Sequence, residues 1–116
     1  MSRHDDTVRI HHMLDHARAA RRILGLRPRP DLDTDEELQL ALTRAVEVIG
    51  EAAARVSDAT RAAWPQVAWK DIVGTRNRLI HGYDRADLDV LWSILANDLP
   101  LLVVELEKIL TSESSA

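Results

Sequence analysis

The last third of the chain constrains the fold most. From Leu88 to Ile109, large aliphatic residues return at steps of three and four: Leu88, Leu91, Leu95, Leu99, Leu102, Leu106 and Ile109. That period belongs to a helix and lays one long apolar stripe along it. Val90, Ile94, Leu101 and Val104 add a second apolar edge. A helix apolar over so wide an arc has to be covered on two sides, within its own fold or by another chain. Pro100 falls inside the stripe and predicts a kink, or a split after Asp98, because its ring and missing N–H disrupt the helical ladder.

Upstream the same period recurs. Ile10, Met13, Leu14, Ala17, Ala20 and Leu24 mark a first helix from Asp5 or Asp6 to Leu24, with Gly25 placed to end it. The two prolines of "LRPRPD" predict a loop. Thr34 with Glu37 three residues later has the spacing of a capping box, and opens a second helix that runs to about Val56. Its buried face is expected to hold Leu38, Ala41, Leu42, Ala45, Val48 or Ile49, Ala52 and Val56, while Arg44, Glu47 and Glu51 line one polar strip. "SDATRAAWPQVAW" reads as a connection, and a third helix from Trp69 or Lys70 to His81 ends at Gly82. No strand-like alternation of useful length occurs. The expectation is an all-α, up-and-down bundle of four helices, or five if Pro100 divides the last, in a single domain spanning 1–116 with a frayed polar tail from about 111.

Composition fits that architecture. Apolar residues make up 46% of the chain, yet there is no Phe and one Tyr, so Leu, Ile, Val and Ala must build the core with Trp64, Trp69 and Trp92 as bulky fillers. The absence of Cys excludes disulfides, thiolate metal sites and cysteine nucleophiles. The charged start "MSRHDDTVRIHH" is unlike a signal peptide, and no apolar run reaches the roughly 18 residues of a membrane span. The expected setting is the cytoplasm. A net charge of −4 argues against a surface coated for non-specific nucleic-acid binding. The charge is uneven, however: Arg18, Arg21, Arg22, Arg27 and Arg29 fall in a stretch free of Asp and Glu between His16 and Pro30. A solvated helix face is the ordinary account, and a patch facing phosphate or a partner is the other.

The chemistry concentrates in "RNRLIHGYD", Arg76 to Asp84. On a continuous third helix Arg76 sits between Val73, Leu79 and Ile80, at a position expected to face inward, and Asn77 shares a face with His81. Arg76 and His81 are five residues apart, about 140° around an ideal helix and about 7.5 Å along it. Their tips meet only if the last turn unwinds, or through a bound anion or a second subunit. At a helix C-terminus the carbonyl dipole favours imidazolium while burial opposes it, which suits a histidine titrating near neutrality. A fixed guanidinium beside such a histidine suits cleavage of an RNA phosphodiester without a metal or cofactor. The bland alternative is a buried Arg and His held by Glu47 and Glu51 in a structural network, with Tyr83 as a helix-end anchor. His4, His11, His12 and His16 read as surface residues rather than metal ligands, although His12 and His16 are four apart.

The block "WKDIVGTRNRLIHGYD", with "RAVEVIGEAA" before it and "DLDVLWSILANDLP" after it, resembles the HepT-like branch of the HEPN superfamily. That branch supplies the toxins of HepT/MntA toxin–antitoxin pairs, of type VII. Its signature is Arg, four residues, His, one residue, Tyr, which falls here on Arg76, His81 and Tyr83. The resemblance implies a homodimeric, metal-independent endoribonuclease whose two motifs face each other across an interface cleft. It implies that Arg76 binds phosphate, His81 acts as acid and base, and Asn77 orients one or the other. Helix spacing adds Glu47 or Glu51 as a group that positions Arg76. The resemblance further implies a separate MntA-like nucleotidyltransferase antitoxin that silences the toxin by transferring AMP to Tyr83. The chain departs from related sequences at Thr75, at "QVAW" and at Asp84, none of which removes a catalytic group. A reading from another class is a non-catalytic helical module that binds a nucleotide or a nucleotidyltransferase.

Overall fold

The computed structural model describes residues 3–80 and 86–115, the last two without their side chains. Eight α-helical segments and one π-helical turn make up the described chain, with no strand among these residues. Four helical runs dominate: α1 (Arg3–Leu24), α3 (Glu36–Ala54), the pair α5 (Trp69–Val73) and α6 (Thr75–Leu79), and a final run. That last run joins α7 (Leu88–Ser93), the π turn Ile94–Asp98 and α8 (Leu99–Ser115). Two short helices, α2 (Arg29–Thr34) and α4 (Asp58–Ala63), lie in the connections. The all-α expectation holds among the described residues, whereas the expected count of four or five helices does not, because short helices form in the connections and Gly74 divides the third run.

The apolar stripes meet as their period requires. Every α1 residue expected inside, from Ile10 to Leu24, is buried, and α1 packs on both α3 and α8. Leu42, Leu91, Leu106 and Ile109 are fully buried, each contributing about 1.5–3 kcal/mol relative to exposure. Trp69 is buried and donates its indole N–H to the Trp64 carbonyl at 3.0 Å, while Trp64 and Trp92 are only partly covered. On α3 the buried face includes Val46, Gly50 and Ala53, and Ala41 is exposed. Gly25 ends α1 as expected, at φ +56° with its N–H on the Arg21 carbonyl at 2.9 Å.

Several local expectations are corrected. The prolines of "LRPRPD" open a helix instead of forbidding one: Pro28 caps α2, and Pro30 occupies its first turn, where a missing N–H costs nothing. Asp35, not Thr34, caps α3, accepting from the Leu38 N–H at 3.0 Å, while the Thr34 hydroxyl donates back to Pro30. Within "SDATRAAW", Ser57 caps α4. The tail expected to fray from about 111 continues α8 to Ser115. Pro100 neither breaks nor ends the last run. The turn before it widens to π geometry, with the Leu99 N–H reaching the Ile94 carbonyl five residues back. The helical path continues from Leu88 to Ser115.

The α4 cap also pins α1. Asp6 is buried and accepts from the Ser57 N–H at 2.9 Å, the Ser57 hydroxyl at 2.5 Å and the Thr60 hydroxyl at 2.6 Å. Burial, the largest single influence, pushes the Asp6 carboxyl up, but these donors together outweigh it and hold its pKa below the ordinary carboxylate value.

Candidate functional site

The third helix is not continuous. Gly74 separates α5 from α6, and the break resets which side chains face inward. On α6 the buried positions are Thr75 and Leu79, and Arg76, Asn77 and Arg78 are all exposed. The inward-facing Arg76 expected from an unbroken helix is therefore corrected: the interruption at Gly74 turns it to solvent. The Thr75 hydroxyl donates to the Asp71 carbonyl at 3.2 Å across the break, so it stays buried without an unsatisfied group.

The helix ends sooner than the sequence suggested. Ile80 is already extended, at φ −72° and ψ 123°. Ile80 and Ala86 form an isolated antiparallel bridge, and the Asp87 N–H donates to the Leu79 carbonyl at 2.5 Å. Asp87 in turn caps α7 through the N–H groups of Asp89 and Val90. Residues 79–80 and 86–87 thus form a clamp between α6 and α7. His81, Gly82, Tyr83 and Asp84 lie outside the described residues, so the expected acid/base and modification positions have no described geometry. The 140° separation computed for an ideal helix does not apply, because α6 stops at Leu79.

Glu47 and Glu51 stand on α3, which packs against both α5 and α6. Glu51 pairs with Arg44 at 3.3 Å, both exposed, as their shared strip predicted. Glu47 is half-buried. Among the described residues neither glutamate forms an ion pair with Arg76, and Arg76 has no ion pair or side-chain hydrogen bond at all. Among the described residues, then, no carboxylate neutralises the guanidinium. Arg78, to which sequence reasoning gave no role, reaches Asp98 of the π turn at 3.8 Å, joining the motif helix to the last run.

Three of the five clustered arginines are tied down: Arg18 to Glu107 at 2.7 Å, Arg27 to Asp35 at 3.1 Å, and Arg29 to Asp33 at 3.2 Å and Asp89 at 2.8 Å. The hydrogen bond it donates to Asp89 is the main reason the Arg29 guanidinium holds its proton even more firmly than usual. His4, His11 and His12 are exposed, and the His16 ring nitrogen Nδ1 lies 2.9 Å from the His12 carbonyl. Among the described residues no three His, Asp or Glu side chains gather as a metal-binding group, and no helix is long and apolar enough to cross a membrane.

Arg76, exposed and without a carboxylate partner among the described residues, thus stands on a short helix five residues before His81 in the sequence and seven before Tyr83. Comparison with known proteins decides the family: the HepT-like ribonucleases match residues 13–109, from the first helix to the last. The chain belongs to the HepT-like ribonuclease family. Among similar proteins, a candidate RNase of Methanocaldococcus jannaschii is 41% identical over 70 residues, covering 60% of this chain and 64% of that protein. A candidate HepT ribonuclease of Thermococcus cleftensis is 34% identical over 79 residues, 68% of this chain and 72% of the relative. A candidate RNase of Caldanaerobacter subterraneus is 32% identical over 83 residues, 72% and 74% of the two chains. The chain thus spans slightly less than two thirds of the length of the first of these. No solved structure matches it.

Proposed function

We propose that this HepT-like chain is a metal-independent endoribonuclease that cleaves RNA in a cleft between two copies of itself. The observation that carries the reading is Arg76: exposed, without a carboxylate partner among the described residues, and on the helix that leads directly into His81 and Tyr83. A structural arginine would be paired; this one is available to an anion. The family and the RNase names of its relatives support the substrate class.

In this reading His81 takes the proton from a ribose 2′-hydroxyl and the freed oxygen attacks phosphorus. The P–O5′ bond breaks, and the departing 5′-oxygen receives a proton from the second histidine of the cleft. Arg76 stabilises the charge that builds on the non-bridging oxygens, and Asn77 orients the phosphate. The products are a 2′,3′-cyclic phosphate and a 5′-hydroxyl. Pairing two motifs supplies a general base and a general acid, which one motif with its single histidine does not. Val104, 46% exposed on α8, provides apolar surface for the pairing, whereas Leu101 of the same expected edge lines a groove of the chain and Ile94 is buried.

The reading extends to control. The chain is the toxin of a type VII-like toxin–antitoxin pair, and an MntA-like nucleotidyltransferase silences it. The Tyr83 phenol oxygen attacks the α-phosphorus of ATP, pyrophosphate leaves, and the AMP so attached brings a phosphate to the place where substrate phosphate must bind.

The experiment is RNA cleavage by the purified chain in excess chelator, beside His81→Ala, with product ends identified. Chelator-resistant cleavage that disappears in the variant and leaves cyclic or 3′-phosphate ends is expected. A well-folded dimer that cleaves nothing, or a variant that cleaves equally well, would refute the ribonuclease reading and favour a nucleotide- or nucleotidyltransferase-binding module.

A further inference from the structure

We infer that copies of this chain also bind one another through a second contact, in which a basic, apolar knob at the end of α1 enters an acid-rimmed groove between α3, α5, α6 and α8. The groove has a volume of about 290 Å³ and a floor that includes Ile49, Ile72, Ile94 and Leu102. At its mouth stand Asp71, Asp98, Glu105 and Arg78. Arg78 is engaged by Asp98 at 3.8 Å, and Lys108 reaches only one Glu105 oxygen, Oε1, at 3.3 Å. The other oxygen, Oε2, is buried with no hydrogen-bond partner, and Asp71 has no ion pair among the described residues. A carboxylate oxygen shut away from water is unfavourable until a donor reaches it. The groove therefore calls for apolar side chains that arrive together with cationic donors.

The chain carries such a surface itself. Between His16 and Pro30 it has no acidic residue, and three of the five arginines there are held by carboxylates. Arg21 and Arg22 are not: both are exposed and make no ion pair among the described residues. Beside them Ile23 is 40% exposed and Leu26 fully so, at 103%. Leu26 stands on a fixed turn, between Gly25, bonded to Arg21, and Arg27, whose N–H reaches the Leu24 carbonyl at 3.1 Å and whose guanidinium binds Asp35. A knob already held in shape loses little freedom on docking.

Charge selects the occupant. RNA would bring phosphates to a mouth holding the exposed Asp71 carboxylate and the unpartnered Glu105 oxygen, which repel it. The Arg21–Arg22–Ile23–Leu26 surface of a second copy brings two guanidiniums and two aliphatic side chains. The contact is read from these surfaces alone and stands whether or not the chain cleaves RNA.

The absence of cysteine makes the test clean. Leu26→Cys places a thiol on the knob, and Gln66→Cys places one at the exposed mouth of the groove. Mixed in equal amounts and gently oxidised, the two variants are expected to give far more disulfide-linked dimer than either alone. Adding Arg21→Glu and Arg22→Glu to the knob variant should cut that yield roughly tenfold, and Asp71→Lys in the groove variant should restore part of it. Equal cross-linking in the unmixed variants, indifference to the charge reversals, or no mixed product would each overturn the contact. RNA cleavage by the Arg21→Glu, Arg22→Glu chain is expected to match the parent, which separates this contact from the cleft.

Discussion

A methyl group placed on Gly50 of α3 would stand 2.9 Å from the carbonyl oxygen of Ile72 on α5. Two helix backbones are thus in direct contact at the point where the motif-bearing segment leans on the bundle. The obstacle is backbone, which no rotamer change relieves. Gly50→Ala should destabilise the fold by about 1–3 kcal/mol despite its better helix propensity, as overpacked substitutions do. Urea unfolding checks this; a neutral or stabilising result would show that α5 moves aside at no cost.

The Gly50 contact shows where sequence reading stops. Periodicity located all four long runs, and almost every apolar residue assigned to α1 and to the Leu88–Ile109 stripe is buried. Those assignments need only the local period and a core to face. Gly50 gave no signal because its reason lies on another helix. Arg76 was placed on the wrong side because the argument carried one helical phase through Gly74, where the backbone resets it. Arg78–Asp98 and the Asp6–Ser57–Thr60 cluster join residues far apart in sequence. The S-x-x-T spacing at Ser57 could have revealed the cap, but not its buried carboxylate. The motif itself was legible as a spacing of residue types, since chemistry depends on which groups are present before it depends on where they point.

Asp6 should tie stability to acid pH. Its folded pKa is depressed, so its ionised form contributes stability that is fully present above the unfolded carboxylate value and is lost as pH falls through the folded one. Below about pH 4 the parent should lose stability that an Asp6→Asn chain has already forfeited. At neutral pH the variant should be about 1–3 kcal/mol less stable, because an amide cannot accept from all three donors. Denaturant unfolding at pH 7 and pH 3 measures both. A gap between parent and variant that fails to narrow on acidification would show that this carboxylate is not what the acid titrates.

Arg76 separates a functional residue from a structural one. It is exposed and has no ion pair among the described residues, so Arg76→Ala should change stability by no more than about 0.5 kcal/mol. If it stabilises transition-state charge, the same change should lower RNA cleavage roughly 10²–10³-fold. Arg76→Lys should recover only part of that, since an ammonium lacks the guanidinium fork. Thermal melting beside single-turnover cleavage reads both quantities. Loss of stability in step with activity would return Arg76 to the structural network that the sequence left open.

Val104 tests whether cleavage needs two chains. It is 46% exposed on α8 and does not line the acid-rimmed groove. In a lone chain, a glutamate there should leave the fold intact, because half-exposed sites away from special features tolerate polarity. At a dimer contact the same glutamate would be desolvated without a partner, which is strongly unfavourable. Combined with Arg21→Glu and Arg22→Glu, which remove the α1 knob contact, Val104→Glu should therefore yield a folded monomer by sedimentation, and its cleavage should fall with the dimer population. Mixing it with His81→Ala sharpens the result. If the cleft draws a base from one chain and an acid from the other, no ratio of the two variants should restore full activity. A monomeric Val104→Glu chain that cleaves at the parent rate would show that one copy suffices, and the paired-histidine mechanism would be wrong.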